Sequence, residues 1–184
     1  MIETSNTIIR LGSLDDIESV INYFKRNKKH LQRWSPLLSK DFFTRKFWEN
    51  RIQNSLDEFK KDQAMRFFVF DRSKKTQVIA TINYTQIFRG PFQACYLGYG
   101  IDAGYEGKGV MSEAVSASIE FAFQKKNIHR IMANYLPVNS RSGNLLKRLG
   151  FQVEGYAREY LLVKGVWEDH ILTSLTNTSW KPIE

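Results

Sequence analysis

The sequence predicts a single α/β domain that spans residues 1–184, and three observations support this prediction. A chain of 184 residues has the usual length of one domain. Its hydrophobic content of 42% is sufficient for a buried core. Helical and strand periodicities follow one another along the chain, with no linker or internal repeat between them.

The first half of the chain predicts one strand and two helices. Thr7–Leu11 has the composition of a short strand. Ser13, followed by Asp16 three residues later, has the pattern of a helix N-cap, and apolar residues recur behind it at helical spacing. Residues 34–36, which include a proline, end this helix, and a second amphipathic stretch covers residues 43–59.

The second half mixes strands with helices. β-branched and aromatic residues predict further strands at 67–70, 77–82, 94–101 and 130–135, and a hairpin around residues 164–165. Helices are predicted from the glycine-rich turn at 104–109 to residue 127, and over 139–149.

The composition excludes several classes of protein. An aromatic content of 14% argues against disorder, and no apolar run approaches the roughly 20 residues that span a bilayer. The N-terminus lacks a secretory signal pattern. The lone Cys95 excludes an intrachain disulfide, and the three histidines show no ligand spacing. We therefore expect a cytoplasmic protein that contacts no membrane and binds no metal.

The net charge of +8 indicates a polyanionic partner. The densest basic run, residues 25–30, lies at the end of the first predicted helix and suggests contact with RNA. A solvated helix end is the alternative interpretation of this run.

The segment Glu106–Met111, between a strand and a helix, predicts an anion site. Gly107 and Gly109 allow backbone N–H groups to converge without side chains in the way, and the helix start adds its own free N–H groups. Lys108 would add one charge at the rim. An ordinary strand-to-helix turn is the alternative. Ser112 occupies the third glycine position of a dinucleotide fingerprint, so that interpretation fails.

Two signatures together resemble the GCN5-related N-acetyltransferase (GNAT) family. The turn Glu106–Met111 resembles its acetyl-CoA pyrophosphate loop, and Asn139–Phe151 resembles its second motif. The tail, residues 151–170, resembles the branch that acetylates ribosomal-protein N-termini. The resemblance implies one GNAT domain with a mixed, largely antiparallel sheet of about six to seven strands. It also implies that the sheet is splayed at the cofactor site and flanked by about four helices.

The resemblance assigns the cofactor site residue by residue. Acetyl-CoA, without any metal, would bind Gly100, Ile101, Asp102, Glu106, Gly107, Lys108, Gly109, Val110, Met111, Asn139 and Ser142. Glu106 occupies the usual Gln/Arg position, and a carboxylate repels a pyrophosphate, so we expect its side chain to turn away.

The catalytic residues also come from the resemblance. Many relatives protonate the leaving thiolate with a tyrosine, but Leu146 stands at that position. Ser142 then becomes the expected acid, and Glu159 the expected base through a water molecule. A free α-amine has a pKa of about 7.7–8.0, so part of it is already neutral at pH 7 and little base catalysis is needed. Trp34, Tyr99, Tyr160 and Trp167 are expected to line the acceptor groove.

The expected reaction is direct attack on the acetyl-CoA thioester by the N-terminal α-amine, an alanine, of a small-subunit ribosomal protein. One alternative is a GNAT enzyme that acetylates a small amine, such as a polyamine or an aminoglycoside. The basic surplus disfavours such polycationic acceptors. The other alternative is a ribosome- or RNA-binding module without catalysis. The sequence leaves the oligomeric state open.

Overall fold

A computed structural model describes residues 1–182. Within this range the strands form one mixed eight-stranded sheet, in the order β1-β2-β3-β4-β5-β6-β8-β7. The strands are β1 (Ile2–Glu3), β2 (Thr7–Leu11), β3 (Met65–Asp71), β4 (Val78–Phe88), β5 (Ala94–Ile101), β6 (Arg130–Met132), β7 (Gln152–Val163) and β8 (Val166–Thr176). The helices are α1 (Ile17–Arg26), α2 (Lys28–Leu31), α3 (Arg45–Lys60), α4 (Val110–Lys126) and α5 (Ser140–Arg148).

The helices cover both faces of the sheet, as the side-chain alternation of β3 shows. Phe67 and Val69 belong to a core that includes the buried side of α4, whereas Phe68 and Phe70 pack with α1 and α3. This is the period of two expected for a strand that is buried on both sides. Leu146 of α5 is 1% exposed and packs into the first core.

The sheet is splayed in its middle. All neighbouring strands are antiparallel except β5 and β6, which run parallel. These two strands pair only between Ala94–Tyr96 and Arg130–Met132. Beyond Tyr96, β5 continues to Ile101 while β6 has already ended. The end of β5 therefore presents an edge inside the sheet.

The predicted fold class is confirmed, with two differences in detail. The sheet has one strand more than expected, because β1 comprises only two residues and cannot show a strand periodicity. The first predicted helix is divided at Asn27, whose backbone leaves the helical region at φ −104° and ψ 9°. The Asn27 amide donates to the Asp102 carboxylate, and this contact accompanies the break.

Asp102 fixes the end of β5 against α1. Its carboxylate accepts hydrogen bonds from Arg26 Nε at 2.5 Å, from Asn27 Nδ2 at 3.0 Å and from the Gly104 backbone N–H at 2.9 Å. Burial opposes the charged form, but these hydrogen bonds lower the pKa of Asp102 below its usual value. The side chain is therefore ionised at neutral pH and holds the splayed strand in place.

In the part of the chain that the structure describes, no helix has the length and apolar character needed to cross a membrane.

Candidate active site

A cleft of about 2020 Å³ opens along the splayed end of β5. One wall is formed by α1–α3 and the segments between them, and the other by α5 and the end of β7. The cleft exceeds the roughly 300–1,000 Å³ of a site for one small ligand. It therefore has room for two substrates side by side.

The open edge of β5 offers backbone hydrogen-bonding groups to this cleft. The Asp102 N–H donates to the Ile79 carbonyl of β4 at 2.8 Å. In an antiparallel ladder the polar groups alternate in direction, so Gly100 also faces β4 whereas Tyr99 and Ile101 face away from it. On that side the pairing with β6 stops at Tyr96, so Tyr99 and Ile101 have no neighbouring strand within residues 1–182.

This geometry bears on two of the expected cofactor contacts, which stay predictions. Asp102 uses its N–H for β4 and its carboxylate for α1, and it is not among the described residues that line the cleft. Gly100 lines the cleft, but the ladder directs its N–H to β4. Ile101, together with Tyr99, is the residue whose backbone groups are available.

The glycine turn has the conformation that an anion seat requires. Gly107 and Gly109 have φ of 72° and 77°, in the left-handed region that favours glycine. Nothing lies within 4 Å of the position of a Cβ at either residue. Gly109 is the N-cap of α4, so the first N–H groups of a 17-residue helix face the same space.

The residues that flank the two glycines differ in their roles. Met111 lines the cleft, whereas Val110 is buried and lies outside its lining. Lys108 turns away from the expected rim of the cleft. Its Nζ donates to the Gly104 carbonyl at 2.7 Å, which satisfies the ammonium within its own turn. The expected phosphate contact of the Lys108 side chain stays a prediction, and it would require this hydrogen bond to break.

Glu106 also departs from the expectation, because its side chain turns into the cleft. Its carboxylate pairs with Arg141 of α5 and lies 3.4 Å from His30 Nε2. The expected repulsion assumed an unpaired carboxylate, but the Arg141 guanidinium neutralises it. Glu106 thus joins the glycine turn, the end of α2 and the start of α5.

The start of α5 brings two expected residues together. The Asn139 side chain accepts a hydrogen bond from the Ser142 N–H at 3.2 Å, so Asn139 caps the helix. The Ser142 hydroxyl lies 2.7 Å from the Tyr99 hydroxyl, and one donates to the other. Burial raises the pKa of Tyr99 to about 12, although the Ser142 hydrogen bond opposes this rise. Tyr99 is therefore protonated at neutral pH.

Glu159 lies away from this pair. It occupies an irregular stretch of β7 with φ of 46°, and its N–H donates to the Asp169 carboxylate at 2.8 Å. Its side chain is exposed, and it is not among the described residues that line the cleft. The structure does not bring Glu159 and Ser142 together, so the role of Glu159 as a base stays a prediction.

Two of the four residues expected in the acceptor groove line the cleft, and the other two lie outside its described lining. Trp34 and Tyr99 line the cleft. Tyr160 lies outside the lining, where its hydroxyl accepts a hydrogen bond from Asn134 Nδ2 at 3.2 Å and so supports a residue that does line it. Trp167 is 59% exposed near the hairpin turn and also lies outside the lining among the described residues.

The cleft is also lined by four polar residues that no sequence pattern assigned to it, namely Arg141, Arg51, Arg66 and Asn83. The position of Arg141 in the sequence could have indicated a functional role. A cation in the first turn of a helix interacts unfavourably with the helix dipole, so its presence there suggests that it pairs with another group. Arg66 and Asn83 are polar residues within two strands that also contribute to the core, and they share a face with Phe68. Only the folded chain shows that this face lines a cleft.

Two further negative findings apply to residues 1–182. No group of three or more His, Cys, Asp or Glu side chains is placed to hold a metal ion. Cys95 is fully buried in the core, and burial raises the pKa of its thiol to about 12. This placement agrees with a packing role for Cys95 rather than a nucleophilic one.

Known proteins match this chain over nearly its full length. The family model of the acetyltransferase (GNAT) domain matches residues 6–152. The ribosomal protein uS5-alanine N-acetyltransferase of Escherichia coli K12 is 42% identical over 180 residues, which cover 97% of this chain and 92% of that protein.

Solved structures agree with these sequence matches. The crystal structure of the ribosomal-protein-S5-alanine acetyltransferase from Vibrio fischeri has a TM-score of 0.93 and 42% identity, with 98% of each chain covered. Mycobacterium smegmatis RimJ, in complex with CoA-disulfide, has a TM-score of 0.85 at 22% identity, over 92% of this chain and 81% of that one. At this identity the RimJ match shows a shared fold.

The conformation of Gly109 generates a first prediction. Gly109→Val should weaken CoA binding by at least about tenfold, because it forces a branched residue to positive φ and fills the anion seat. Isothermal titration calorimetry with CoA measures this change.

Gly90→Val is the matched control for this experiment. Gly90 has φ of 66° and equally open surroundings, but it lies in the loop between β4 and β5, outside the lining of the cleft. It carries the same backbone strain and should keep wild-type affinity for CoA. Equal affinities in the two variants would refute the anion seat.

Proposed function

This chain belongs to the GNAT acetyltransferase family, as its two signatures predicted, and we propose that it acetylates the N-terminal α-amine of a ribosomal protein. The acetyl donor is acetyl-CoA, and the acceptor residue is the alanine of a small-subunit protein of the uS5 type. The full-length relative in Escherichia coli, which is named for this reaction, carries the proposal. An acceptor of this kind is made in the cytoplasm, so the reaction takes place there.

The cleft supports this function because its residues fit acetyl-CoA. Tyr99 and Ile101 offer backbone groups to which an extended pantetheine arm can add like a strand. Gly107, Gly109 and the start of α4 offer converging N–H groups to the pyrophosphate. When bound, acetyl-CoA supplies an activated acyl thioester.

The proton that the leaving thiolate needs comes from the start of α5. Ser142 lines the cleft, and its hydroxyl is hydrogen-bonded to a tyrosine that is protonated at neutral pH. Ser142 donates the proton, and Tyr99 orients the serine and can replace that proton. A thiol has a pKa of about 8.5, so a weak acid is sufficient for this step.

The amine side of the reaction requires less from the protein. A fraction of any α-amine is neutral at pH 7, and positioning of that fraction against the thioester supplies much of the rate. Glu159, through a water molecule, accepts the proton of the remaining charged amines. Glu159 is exposed on β7 and lies outside the described lining of the cleft, so this proposed role requires the water molecule as a relay.

A polycationic small amine fits the cleft poorly. Among residues 1–182, the charged side chains that line the cleft are seven basic and two acidic ones. The basic ones are Lys28, Arg33, Lys46, Arg51, Arg66, Arg141 and Arg148, and the acidic ones are Asp41 and Glu106. A polyamine or an aminoglycoside would meet repulsion here. The cleft therefore favours an acceptor with a single α-amine.

Residues 1–184 act as one acetyltransferase domain in this proposal. Both walls of the cleft rest on a single sheet. Helix α3 leads into β3 and helix α5 leads into β7, and these two strands belong to the same eight-stranded sheet. Neither half of the chain forms the cleft alone.

The substrate is tested in cells that lack the gene. Mass spectrometry of their ribosomal proteins should show one small-subunit protein with a free N-terminal alanine, about 42 mass units lighter than in the wild type because one acetyl group is missing. Return of the gene should restore the acetylated form, whereas return of Gly109→Val should not. An unchanged acetylation pattern would contradict the proposed substrate.

The two proton-transfer roles have separate pH signatures. Ser142→Ala should lower kcat by about tenfold or more across the pH range, because it removes the hydroxyl that donates to the charge developing on the leaving sulfur at every pH. Glu159→Gln should lower kcat/KM by about tenfold at pH 6.5 and converge with the wild type above pH 9, because the amine is then already neutral.

Initial rates with an alanine-initiated peptide measure both effects. The matched control is Glu120→Gln, which changes an exposed carboxylate on α4 that is not part of the described lining of the cleft. A pH profile of kcat/KM for Glu159→Gln that runs parallel to the wild-type profile would contradict the role of Glu159 as the base. Near-normal kcat in Ser142→Ala would contradict the role of Ser142 as the acid.

A further inference from the structure

The acceptor side of the cleft carries a positive charge that acetyl-CoA does not explain. Arg141 and Arg148 belong to α5, on the wall beside the glycine turn, where phosphates would bind. The other five basic side chains of the lining come from the α1–α3 region and β3. Among the described residues, the one acidic side chain of the lining on that side is Asp41.

Arg51 of α3 is the clearest case of an uncompensated cation. Within residues 1–182 it makes no ion pair and no hydrogen bond through its side chain, although its neighbour on the same helix, Arg45, pairs with Glu49. Arg51 is exposed to the cleft, and it lies two helical turns before Glu58, the partner of Arg66, on the same face of α3. Its partial burial and the Arg66 guanidinium lower the pKa of Arg51 from its usual value, and Glu58 opposes this only in part. Two like charges thus face the same part of the cleft.

Arg66 belongs to a row of residues that crosses the floor of the cleft. It pairs in register with Asn83 of β4, which pairs in turn with Gly98 of β5. All three residues line the cleft. Gly98 is the end of this row that lies nearest to the exposed edge of β5. A Cβ at Gly98 would meet nothing within 4 Å, so the floor of the cleft is open there. The Arg66 guanidinium is held by Glu58 at 2.7 Å, which fixes its position.

The dimensions of the sheet relate this row to the reaction site. Two strand spacings of about 4.8 Å separate Gly98 from Arg66, and Tyr99 and Ile101 lie one and three residues further along β5. The path from the open edge to Arg66 is therefore about 10–14 Å. An extended peptide advances about 3.4 Å per residue, so its fourth or fifth residue lies over Arg66, and the length of the arginine and glutamate side chains brings the third residue within reach as well.

We propose that Arg51 and Arg66 form an acceptor subsite that binds a side-chain carboxylate at the third to fifth residue of the acceptor. This inference rests on the proposed function and adds a substrate class to it: alanine-initiated chains with an early Asp or Glu. Arg51 is the specificity-determining residue, because its guanidinium lacks an acidic partner within the described chain. A carboxylate between two guanidinium groups forms charge-assisted hydrogen bonds and relieves their mutual repulsion.

The proposal also accounts for part of the +8 charge of the chain. Ribosomal proteins are commonly basic, and a basic cleft would repel them if it contacted their whole surface. A cleft that admits only the first residues can instead select a locally acidic N-terminus.

The test uses the full-length enzyme, acetyl-CoA and synthetic peptides of ten residues that begin with alanine. In three pairs of peptides, Glu or Gln occupies position 3, 4 or 5. At one position the Glu peptide should have about tenfold higher kcat/KM than its Gln partner, mostly through a lower KM. Arg51→Gln should bring this ratio close to one, and Arg51→Lys should keep part of it.

Arg45→Gln is the matched control, since Arg45 lies on the same helix but is not part of the described lining of the cleft. It should keep the wild-type Glu/Gln ratio. Arg51→Glu should reverse the preference and favour a peptide with Lys at the selected position. Because each ratio compares two peptides on one enzyme, a loss of total activity in a variant does not affect it.

Two outcomes would overturn the inference in distinguishable ways. Acetylation of the Glu and Gln peptides with equal kcat/KM at all three positions would remove the subsite and leave the proposed function intact. Inhibition of that reaction by a short single-stranded RNA, relieved in Arg51→Gln, would then assign the two arginines to RNA. Failure to acetylate any alanine-initiated peptide would remove the proposed function and the subsite together.

Discussion

The divergence of β5 from β6 after Tyr96 is the constraint on which the site depends. Unpaired backbone groups inside a protein are costly, and a sheet normally satisfies them with the next strand. Here Tyr99 and Ile101 face a cleft instead, while the ladder with β4 keeps the other side of the same strand rigid. Asp102 then fastens the end of β5 to α1. The result is a fixed strand edge that an extended ligand can complete.

Charge is arranged around this edge in two separate regions. On the cofactor side, Glu106 pairs with Arg141 and His30, and it connects the glycine turn to two helices. On the acceptor side, Arg51 and Arg66 lie together with one acidic partner, Glu58, which already holds Arg66. The basic run at residues 25–30 contributes to both the fold and the cleft, since Arg26 binds Asp102 and His30 lies beside Glu106. Part of the net charge that suggested a polyanion therefore serves the site itself.

Local chemistry made some of the site predictable from the sequence. Gly107 and Gly109 adopt the positive φ that only glycine accepts easily, and Asn139 caps the helix that it precedes. Side chains whose orientation depends on the conformation of a turn or on a distant partner were not predictable. Lys108 turns to a carbonyl four residues before it, and Glu106 turns to a helix that begins 34 positions later, at Ser140.

The same distinction separates the two expected catalytic residues. Ser142 reaches the cleft because a capped helix start fixes it against Tyr99. Glu159 lies where β7 departs from regular pairing, and sequence patterns do not reveal which way such a stretch directs its side chains.

Residue-resolved amide hydrogen exchange, measured by NMR with and without saturating CoA, tests the central claim most directly. CoA should slow exchange at Tyr99 or Ile101 by at least about tenfold, because the ligand then completes the open edge of β5. Gly100 and Asp102 serve as internal references, since the ladder with β4 already holds their N–H groups. CoA binding that protects the glycine turn but leaves both Tyr99 and Ile101 unchanged would contradict the account.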